Sequence, residues 1–260
     1  MTTQSRRRLL QALVAGAGTV PGLFAEALKT TSSLGEGPFY PDKMPLDTDN
    51  DLLVLNEGIT PAVGEIAYVS GRVLTKSGEP LRNGYVEIWQ TDSNGSYLHS
   101  GGRNTGGYDS NFQGYGRFIT DSKGQYFFRT IKPVEYTLQG VFRCPHIHFA
   151  ISKSGHRLIA TQMLIKGHPA NERDGIVKRK RAKGDMLESV MVDFKPIAGS
   201  KLKEYAANWD VVIGRTAEEM EDGTLGIGLG KPDRPRFKSG QRQEVARRCQ
   251  TGSGYAESAL

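Results

Sequence analysis

Two histidines one residue apart are the first candidates for chemistry in this sequence. His146 and His148 lie in the stretch RCPHIHFA, which is otherwise mostly apolar. Side chains on a β-strand alternate between its two faces, so both imidazoles would point to one side, with their β-carbons roughly 7 Å apart. Two imidazole nitrogens on that base can converge on one metal ion at about 2 Å. The pair alone is also compatible with two histidines that only pack in the core.

Two tyrosines are candidate oxygen ligands for such a metal. Tyr97 follows the turn sequence DSNG, and Tyr136 precedes the histidine pair in the stretch KPVEY. A phenol loses its proton near pH 10, so it binds a metal only when a strong Lewis acid such as Fe(III) stabilises the phenolate. For either tyrosine alone, a ring in the core with its hydroxyl at the rim is the simpler interpretation.

Other common metal sites fit the sequence less well. The chain has two cysteines, Cys144 and Cys249, and neither belongs to a CxxC pair, which argues against a closed zinc site. A site of two histidines and one carboxylate, as in cupin-like metalloenzymes, would have Glu135 as its only nearby acid. The residue types alone therefore leave the choice between a metal centre and a packed core open.

Short apolar runs with an alternating pattern predict the strands that would position these side chains. Turn sequences separate the runs, and in them glycine supplies positive φ while aspartate or asparagine closes local hydrogen bonds. Regular short strands of this kind predict an all-β fold, an antiparallel β-sandwich with irregular N- and C-terminal extensions. Four of the later strands are predicted at His146–Ser152, Ala160–Ile165, Ser189–Phe194 and Trp209–Ile213.

The sequence divides into four predicted segments. Residues 1–27 have the features of a signal peptide of the twin-arginine type, with Arg6 and Arg7 before a mildly apolar stretch and Ala25-Glu26-Ala27 as a cleavage signature. An ordinary secretory signal is the alternative for the same residues. Residues 28–66 are predicted to form an N-terminal arm, 67–217 the β-sandwich, and 218–260 a basic, glycine-rich tail. The signal predicts export to the periplasm or the exterior.

The charge pattern does not indicate a nucleic-acid partner. The net charge of +6 falls to +4 when residues 1–27 are removed, because three arginines and one glutamate leave with them. Other basic clusters lie at Val177–Asp185 and in the tail, without the interleaved aromatic residues of a nucleic-acid-binding module. Beyond the N-terminal segment, no apolar run in the sequence is long enough to span a bilayer.

Several motifs occur together in the order and approximate spacing of one enzyme family. They are GEPLRNGYVEIWQTDSNGSYLHS, GRFITDSKGQYFFRTIKPVEY, FRCPHIHFAIS and TQMLIKGHP, preceded by EGPFYPD at Glu36–Asp42. Together they resemble the intradiol ring-cleavage dioxygenases, in particular the protocatechuate 3,4-dioxygenase branch, over about Glu36 to Pro196. The resemblance implies a β-sandwich with a prealbumin-like core, and it suggests that EGPFYPD lies near the mouth of the active site.

The resemblance also implies roles for individual residues. A non-haem Fe(III) would be bound by Tyr97, Tyr136, His146 and His148. Tyr136 matches the tyrosinate that leaves the metal when substrate arrives. Arg143 matches a residue whose guanidinium stabilises the anionic ring carbon, and Gln162 matches a polar partner of that arginine and of the substrate. Cys144 departs from the family pattern, because a small residue such as alanine is common at its position.

The implied substrates are a catecholic aromatic and O2, with cleavage between the two hydroxyls to a muconate-type diacid. Protocatechuate 3,4-dioxygenase is the most specific activity implied, and the working form would be a homo-oligomer or a pair with a homologous subunit. A second resemblance is to prealbumin-type or carboxypeptidase-regulatory β-sandwich modules, which bind rather than catalyse. That alternative explains the strands and turns but not the combination of Tyr136, Arg143 and the two histidines.

Overall fold

The computed structural model describes residues 27–45, 47–55, 60–214 and 231–232. The predicted signal peptide before Ala27, the predicted tail apart from residues 231–232, and Cys249 lie outside the described residues. Within the described ranges, no helix has both the length and the apolar character needed to cross a membrane.

The secondary structure of the described residues is mostly β, as the alternating runs predict. The strands are β1 (Ile66–Thr75), β2 (Tyr85–Trp89), β3 (Tyr115–Ile119), β4 (Gln125–Ile131), β5 (Tyr136–Leu138), β6 (Val141–Arg143), β7 (His146–Lys153), β8 (His156–Ile165), β9 (Met191–Val192), β10 (Lys195–Pro196), β11 (Tyr205–Asn208), β12 (Val211–Ile213) and β13 (Lys231–Pro232). Helix α1 spans Gly175–Ala182, and short 3₁₀ helices lie at Ser100–Gly102, Pro169–Glu172 and Leu187–Val190.

Two larger sheets and one hairpin organise these strands. The first sheet has the order β10-β11-β1-β12 with β4 also paired to β1, and the second has the order β13-β8-β7-β2-β3 with β9 paired to β8. Strands β5 and β6 form a separate two-stranded hairpin. The predicted all-β sandwich is confirmed. Most pairings are antiparallel, but β11 and β12 run parallel to β1 and β9 runs parallel to β8, which the sequence pattern did not predict.

The hydrophobic core lies between the two larger sheets. Val69 and Phe128 from the first sheet and Ile88 and Phe149 from the second are fully buried members of one apolar cluster. Tyr126 of β4 packs edge-on against Phe149 of β7, with ring centroids 5.8 Å apart. Burial of each such large side chain contributes about 1.5–3 kcal/mol to folding, so this contact fixes the two sheets face to face.

Strand β7 divides its side chains between the core and the opposite face. Ile147, Phe149 and Ile151 belong to the core cluster, whereas His146 and His148 do not. All five residues are buried, which means that the second sheet is covered on both faces at this strand. The predicted strand His146–Ser152 and its alternation are confirmed, and the strand extends by one residue to Lys153.

Two of the later strand predictions need correction. Only Met191–Val192 of the predicted strand Ser189–Phe194 is extended, because Leu187–Val190 forms a 3₁₀ helix that buries its first and last side chains. The predicted strand Trp209–Ile213 begins at Val211. Strands β11 and β12 both pair with β1, and Trp209 lies in the connection between them. In this connection the backbone N–H of Trp209 donates to the carbonyl of Ser70. The prediction Ala160–Ile165 is confirmed as part of the longer β8.

Candidate metal centre

Four side chains predicted from the sequence meet at one point behind the second sheet. The Oη of Tyr97 lies 2.9 Å from the Oη of Tyr136, 3.2 Å from the Nε2 of His146 and 2.9 Å from the Nε2 of His148. The two histidine Nε2 atoms are 3.2 Å apart, and Tyr136 Oη is 3.5 Å from His146 Nε2. All four side chains are buried, so the polar atoms face one another rather than solvent.

Different elements bring the two tyrosines to the histidines. Tyr136 begins β5, and Tyr97 follows the turn Asp92–Gly95, in which the buried Asp92 carboxylate accepts from the backbone N–H groups of Asn94 and Ser96. Gly95 has a φ of 75°, and a Cβ at this position would lie 2.8 Å from the Cβ of Tyr136. The turn therefore requires glycine, because any side chain would push the segments that carry Tyr97 and Tyr136 apart.

Both histidines are held in the neutral form, and their Nε2 atoms face the cluster. The Nδ1 of His146 lies 2.6 Å from the carbonyl oxygen of Cys144, which only accepts hydrogen bonds, so Nδ1 carries the proton and Nε2 has a free lone pair. Burial lowers the pKa of His146 and of His148 well below the usual value, and the nearby Arg143 acts in the same direction. Neutral imidazole is the form that binds metals.

The two phenols depend on a cation for their ionisation. Burial raises the pKa of Tyr97 well above its usual value, and the neighbouring Tyr136 raises it further. Burial also raises the pKa of Tyr136, to about 12, although Arg143 opposes this shift. Two buried phenols and two neutral imidazoles thus share one small volume that carries no negative charge until a cation binds and displaces the phenol protons.

The donor set fits a hard, highly charged metal ion. Four donors placed tetrahedrally at about 2 Å from a metal lie about 3.3 Å from one another, and five of the six separations in this cluster are 2.9–3.5 Å. Among the described residues, no group of three or more His, Cys, Asp or Glu side chains could hold a metal ion. Oxygen anions with imidazole suit Fe(III).

Arg143 and Gln162, the remaining predicted site residues, contact each other beside this cluster. The Nη2 of Arg143 donates to the Oε1 of Gln162 at 2.6 Å, and its Nε donates to the Oδ2 of Asp174 at 2.9 Å. Gln162 pairs with His148 across β7 and β8, and Arg143 pairs with Tyr136 across the β5–β6 hairpin. The guanidinium is therefore fixed next to the ligand cluster from two directions.

Sequence reasoning missed Asp174, which organises this part of the site. Its fully buried carboxylate accepts from Arg143 Nε, from the backbone N–H of Cys144, and from the backbone N–H groups of Ile176 and Val177 at the start of α1. The sequence could have indicated that this aspartate caps a helix, because an acid stands directly before the run GIVKRKRA. It could not have indicated the contact with Arg143, because the two residues are 31 positions apart.

Sequence reasoning also missed Trp89 and Glu87 of β2. The Trp89 indole stacks on the His148 imidazole with ring centroids 4.8 Å apart and an interplanar angle of 8°. Glu87 lies on the same face of the strand, fully buried, and hydrogen-bonds to Tyr40 in the segment EGPFYPD. That segment lies over the site, as the resemblance implies: the Phe39 ring stacks on the ring of Tyr97, 5.1 Å away.

Comparisons with known proteins identify the family. Residues 35–214 match the family model described as "Dioxygenase". The chain belongs to the intradiol ring-cleavage dioxygenases. This dioxygenase is 39% identical over 140 residues to the protocatechuate 3,4-dioxygenase beta chain of Burkholderia cepacia, which covers 52% of this chain and 58% of the relative. It is 31% identical over 170 residues to catechol 1,2-dioxygenase 2 of Acinetobacter lwoffii, which covers 56% of this chain and 58% of that relative.

Solved structures show the same fold for this dioxygenase. Catechol 1,2-dioxygenase from Pseudomonas arvilla C-1 superposes with a TM-score of 0.56 at 21% identity, over 91% of this chain and 72% of that one. An intradiol ring-cleavage dioxygenase from Tetranychus urticae gives 0.54 at 19% identity, over 73% and 96%. The family match favours the enzyme over the alternative of a non-catalytic binding module.

Proposed function

We propose that this chain is a non-haem Fe(III)-dependent dioxygenase that cleaves a catecholic aromatic between its two hydroxyls with O2, giving a muconate-type diacid. The observation that carries the proposal is the convergence of Tyr97, Tyr136, His146 and His148, with five of the six separations between their donor atoms at 2.9–3.5 Å. These four residues would hold the iron. When bound, Fe(III) supplies the Lewis acidity that converts the phenols to phenolates and activates a chelated catechol toward O2.

Tyr97, His146 and His148 provide the permanent part of the site. Each is almost fully buried and packed against another ring, and the tautomer of His146 is fixed by the Cys144 carbonyl. Rings held in this way keep their donor atoms in place when substrate enters, which lowers the cost of orienting them during the reaction.

Tyr136 has the properties of a ligand that also moves a proton. Its strand β5 belongs to a hairpin outside the two main sheets, which supports a side chain that can swing away from the cluster. Burial raises the pKa of Tyr136 to about 12 in the metal-free protein, so a Tyr136 Oη that is no longer bound to a cation would take a proton from a catechol hydroxyl. We infer that substrate binding and protonation of Tyr136 are one event.

Arg143 supplies a fixed positive charge beside the reacting ring. Its guanidinium is 7% exposed and is bonded to both Asp174 and Gln162, which leaves it little freedom to reorient. A preorganised cation of this kind stabilises negative charge that develops on the ring during attack by O2, because no reorientation is needed at that moment. Gln162 acts mainly by holding Arg143.

Protocatechuate is the substrate that we propose first, and catechol is the second candidate. The relative from Burkholderia cepacia is named for the first compound, and the relative from Acinetobacter lwoffii is named for the second. Because the matched region spans 58% of each relative, these names support a substrate class more strongly than one compound.

The proposal is tested with iron-reconstituted protein, each candidate catechol and 18O2. We expect one O2 consumed per ring and a diacid that carries two 18O atoms, as insertion of both oxygen atoms requires. Cleavage outside the two hydroxyls would instead give a semialdehyde, and this product, or a diacid without 18O, would overturn the assignment.

We also propose export and assembly, each with its own test. The Arg6-Arg7 pair and the sequence Ala25-Glu26-Ala27 support export to the periplasm or exterior, so replacing both arginines with lysine should keep the protein inside the cell.

The name "beta chain" of one relative supports a working form with more than one subunit, as a homo-oligomer or with a homologous chain. Light scattering on the purified protein measures this state.

A further inference from the structure

A short segment before the β-sandwich covers the rings of two proposed ligands. In this cover segment, Glu36–Tyr40, the Phe39 ring stacks on Tyr97. Gly37 has a φ of 75° and passes so close to His148 that a Cβ on it would lie 3.1 Å from the imidazole Cε1. The Tyr40 ring packs edge-on against the Trp89 indole, and that indole is stacked on the His148 imidazole. The segment touches these rings without adding a donor atom to the cluster.

One buried carboxylate, Glu87, fastens this cover segment to the second sheet. Its Oε1 accepts from the Tyr40 hydroxyl at 2.8 Å, from the Tyr115 hydroxyl at 2.5 Å and from Arg117 Nη2 at 3.0 Å. Its Oε2 lies 3.2 Å from Arg157 Nη2. The Glu87 side chain is fully buried, so these protein groups take the place of water around its charge.

Glu87 remains charged in this environment. Burial opposes its ionisation, but the hydrogen bond from Tyr115, the positive charge of Arg157 and the hydrogen bond from Arg117 bring its pKa below the usual value. Burial and the Glu87 charge raise the pKa of Tyr40, so the phenol stays protonated and its hydroxyl donates a hydrogen bond to the carboxylate. A hydrogen bond to an ionised acceptor is roughly twice as strong as one between neutral groups.

We propose that Glu87 is a positioning residue, which acts through Tyr40 to hold the cover segment against the rings of Tyr97 and His148. Glu87 and Trp89 are two residues apart on β2 and share one face, so a single strand carries both the anchor and the wall behind His148. The consequence for iron rests on the proposed function: the closed segment limits the access of water and chelators to the iron-binding rings.

The first test is hydrogen exchange of the iron-free protein, followed for the peptide that contains residues 34–42. Tyr40→Phe removes only the hydroxyl that Glu87 accepts and keeps the ring, and we expect roughly tenfold faster exchange of this peptide. Tyr68→Phe is the matched control, because it removes a hydroxyl that donates to Glu204 at 2.7 Å on the other sheet. The control should leave exchange of the cover segment unchanged.

The second test is the rate at which iron-loaded protein loses iron to a chelator. Tyr40→Phe and Glu87→Gln should both release iron roughly tenfold faster, if release requires the segment to open. Unchanged exchange of the cover segment in Tyr40→Phe, or an equal increase in Tyr68→Phe, would overturn the anchoring role, and unchanged iron release in both Tyr40→Phe and Glu87→Gln would overturn the effect of the segment on access to iron. A wild-type protein that binds no iron would contradict the proposed function instead, and the exchange measurement would still decide the role of Glu87.

Discussion

Arg143 donates through its Nε to the Oδ2 of Asp174 at 2.9 Å, and both side chains are buried beside the proposed iron ligands. The distance and burial identify a charge pair that fixes the guanidinium in one orientation. Asp174 also begins helix α1, so one carboxylate ties the reacting region to the only α-helix of the described residues.

Asp174→Asn should therefore impair catalysis without removing iron. Asparagine caps helices about as well as aspartate, so α1 keeps its start, but Arg143 loses its charged partner. We expect kcat to fall roughly tenfold to a hundredfold, with KM and iron content close to wild type. Oxygen uptake with protocatechuate measures the first two quantities, and elemental analysis measures the third.

The matched control is Asp210→Asn. Asp210 pairs with Arg72 at 2.6 Å on the first sheet, outside the ligand cluster, and the same loss of charge there should leave kcat unchanged. Equal losses of kcat in both variants would mean that Asp174 acts only on stability.

Tyr97→Phe should sharply reduce iron retention. The Tyr97 hydroxyl lies within 3.2 Å of three other donor atoms in the cluster, so no other side chain replaces its oxygen when it is removed. The variant should bind at least tenfold less iron after reconstitution and dialysis. Tyr85→Phe, at an exposed position on β2, is the control and should bind iron normally. Full iron content in Tyr97→Phe would remove this residue from the site.

Tyr136→Phe should separate iron binding from substrate binding. Tyr97, His146 and His148, the proposed permanent part of the site, remain, so part of the iron is retained, but the base that takes the catechol proton is missing. We expect substrate association to slow roughly tenfold to a hundredfold in stopped-flow measurements. A variant that binds substrate at the wild-type rate would show that another group accepts the proton.

Acid should weaken the fold partly through Glu87. Despite the opposing effect of burial, Tyr115 and Arg157 lower the pKa of Glu87 in the folded protein. A depressed folded-state pKa stabilises the protein above the unfolded-state pKa of about 4.3, and this stabilisation is lost as the pH falls through the folded-state value.

Glu87→Gln should remove that pH dependence. We expect the free energy of unfolding of the wild type to fall more steeply below pH 4.3, by up to about 1.4 kcal/mol per pH unit relative to the variant. Urea unfolding of iron-free protein at several pH values measures both slopes. Parallel slopes would show that Glu87 does not hold a depressed pKa.

Local patterns in the sequence predicted the part of the site that depends on one strand. The alternation around His146 and His148 placed both rings on one face of β7, and the structure has them there. Tyr97 and Tyr136 were only candidates from the residues, and the family resemblance made them proposed ligands, because nothing in their local sequence distinguishes a ligand from a core tyrosine. The structure brings all four side chains together.

The remaining features depend on contacts between distant segments. Asp174 meets Arg143, and Glu87 meets Tyr40, through packing that no periodic pattern records. Strands β11 and β12 pair with β1 in parallel, and each is too short for its sequence pattern to reveal its direction. Sequence periodicity reports which face a side chain is on, but it does not report what lies opposite.

A visible absorption spectrum of the iron-reconstituted protein tests the central claim, that Tyr97 and Tyr136 bind Fe(III), most directly. Phenolate bound to ferric iron produces a charge-transfer band, and addition of protocatechuate or catechol without O2 should shift it. We predict this band in the wild type and in Tyr85→Phe, and its loss in Tyr97→Phe. A colourless wild type, or an iron-loaded Tyr97→Phe with an unchanged band, would contradict the account.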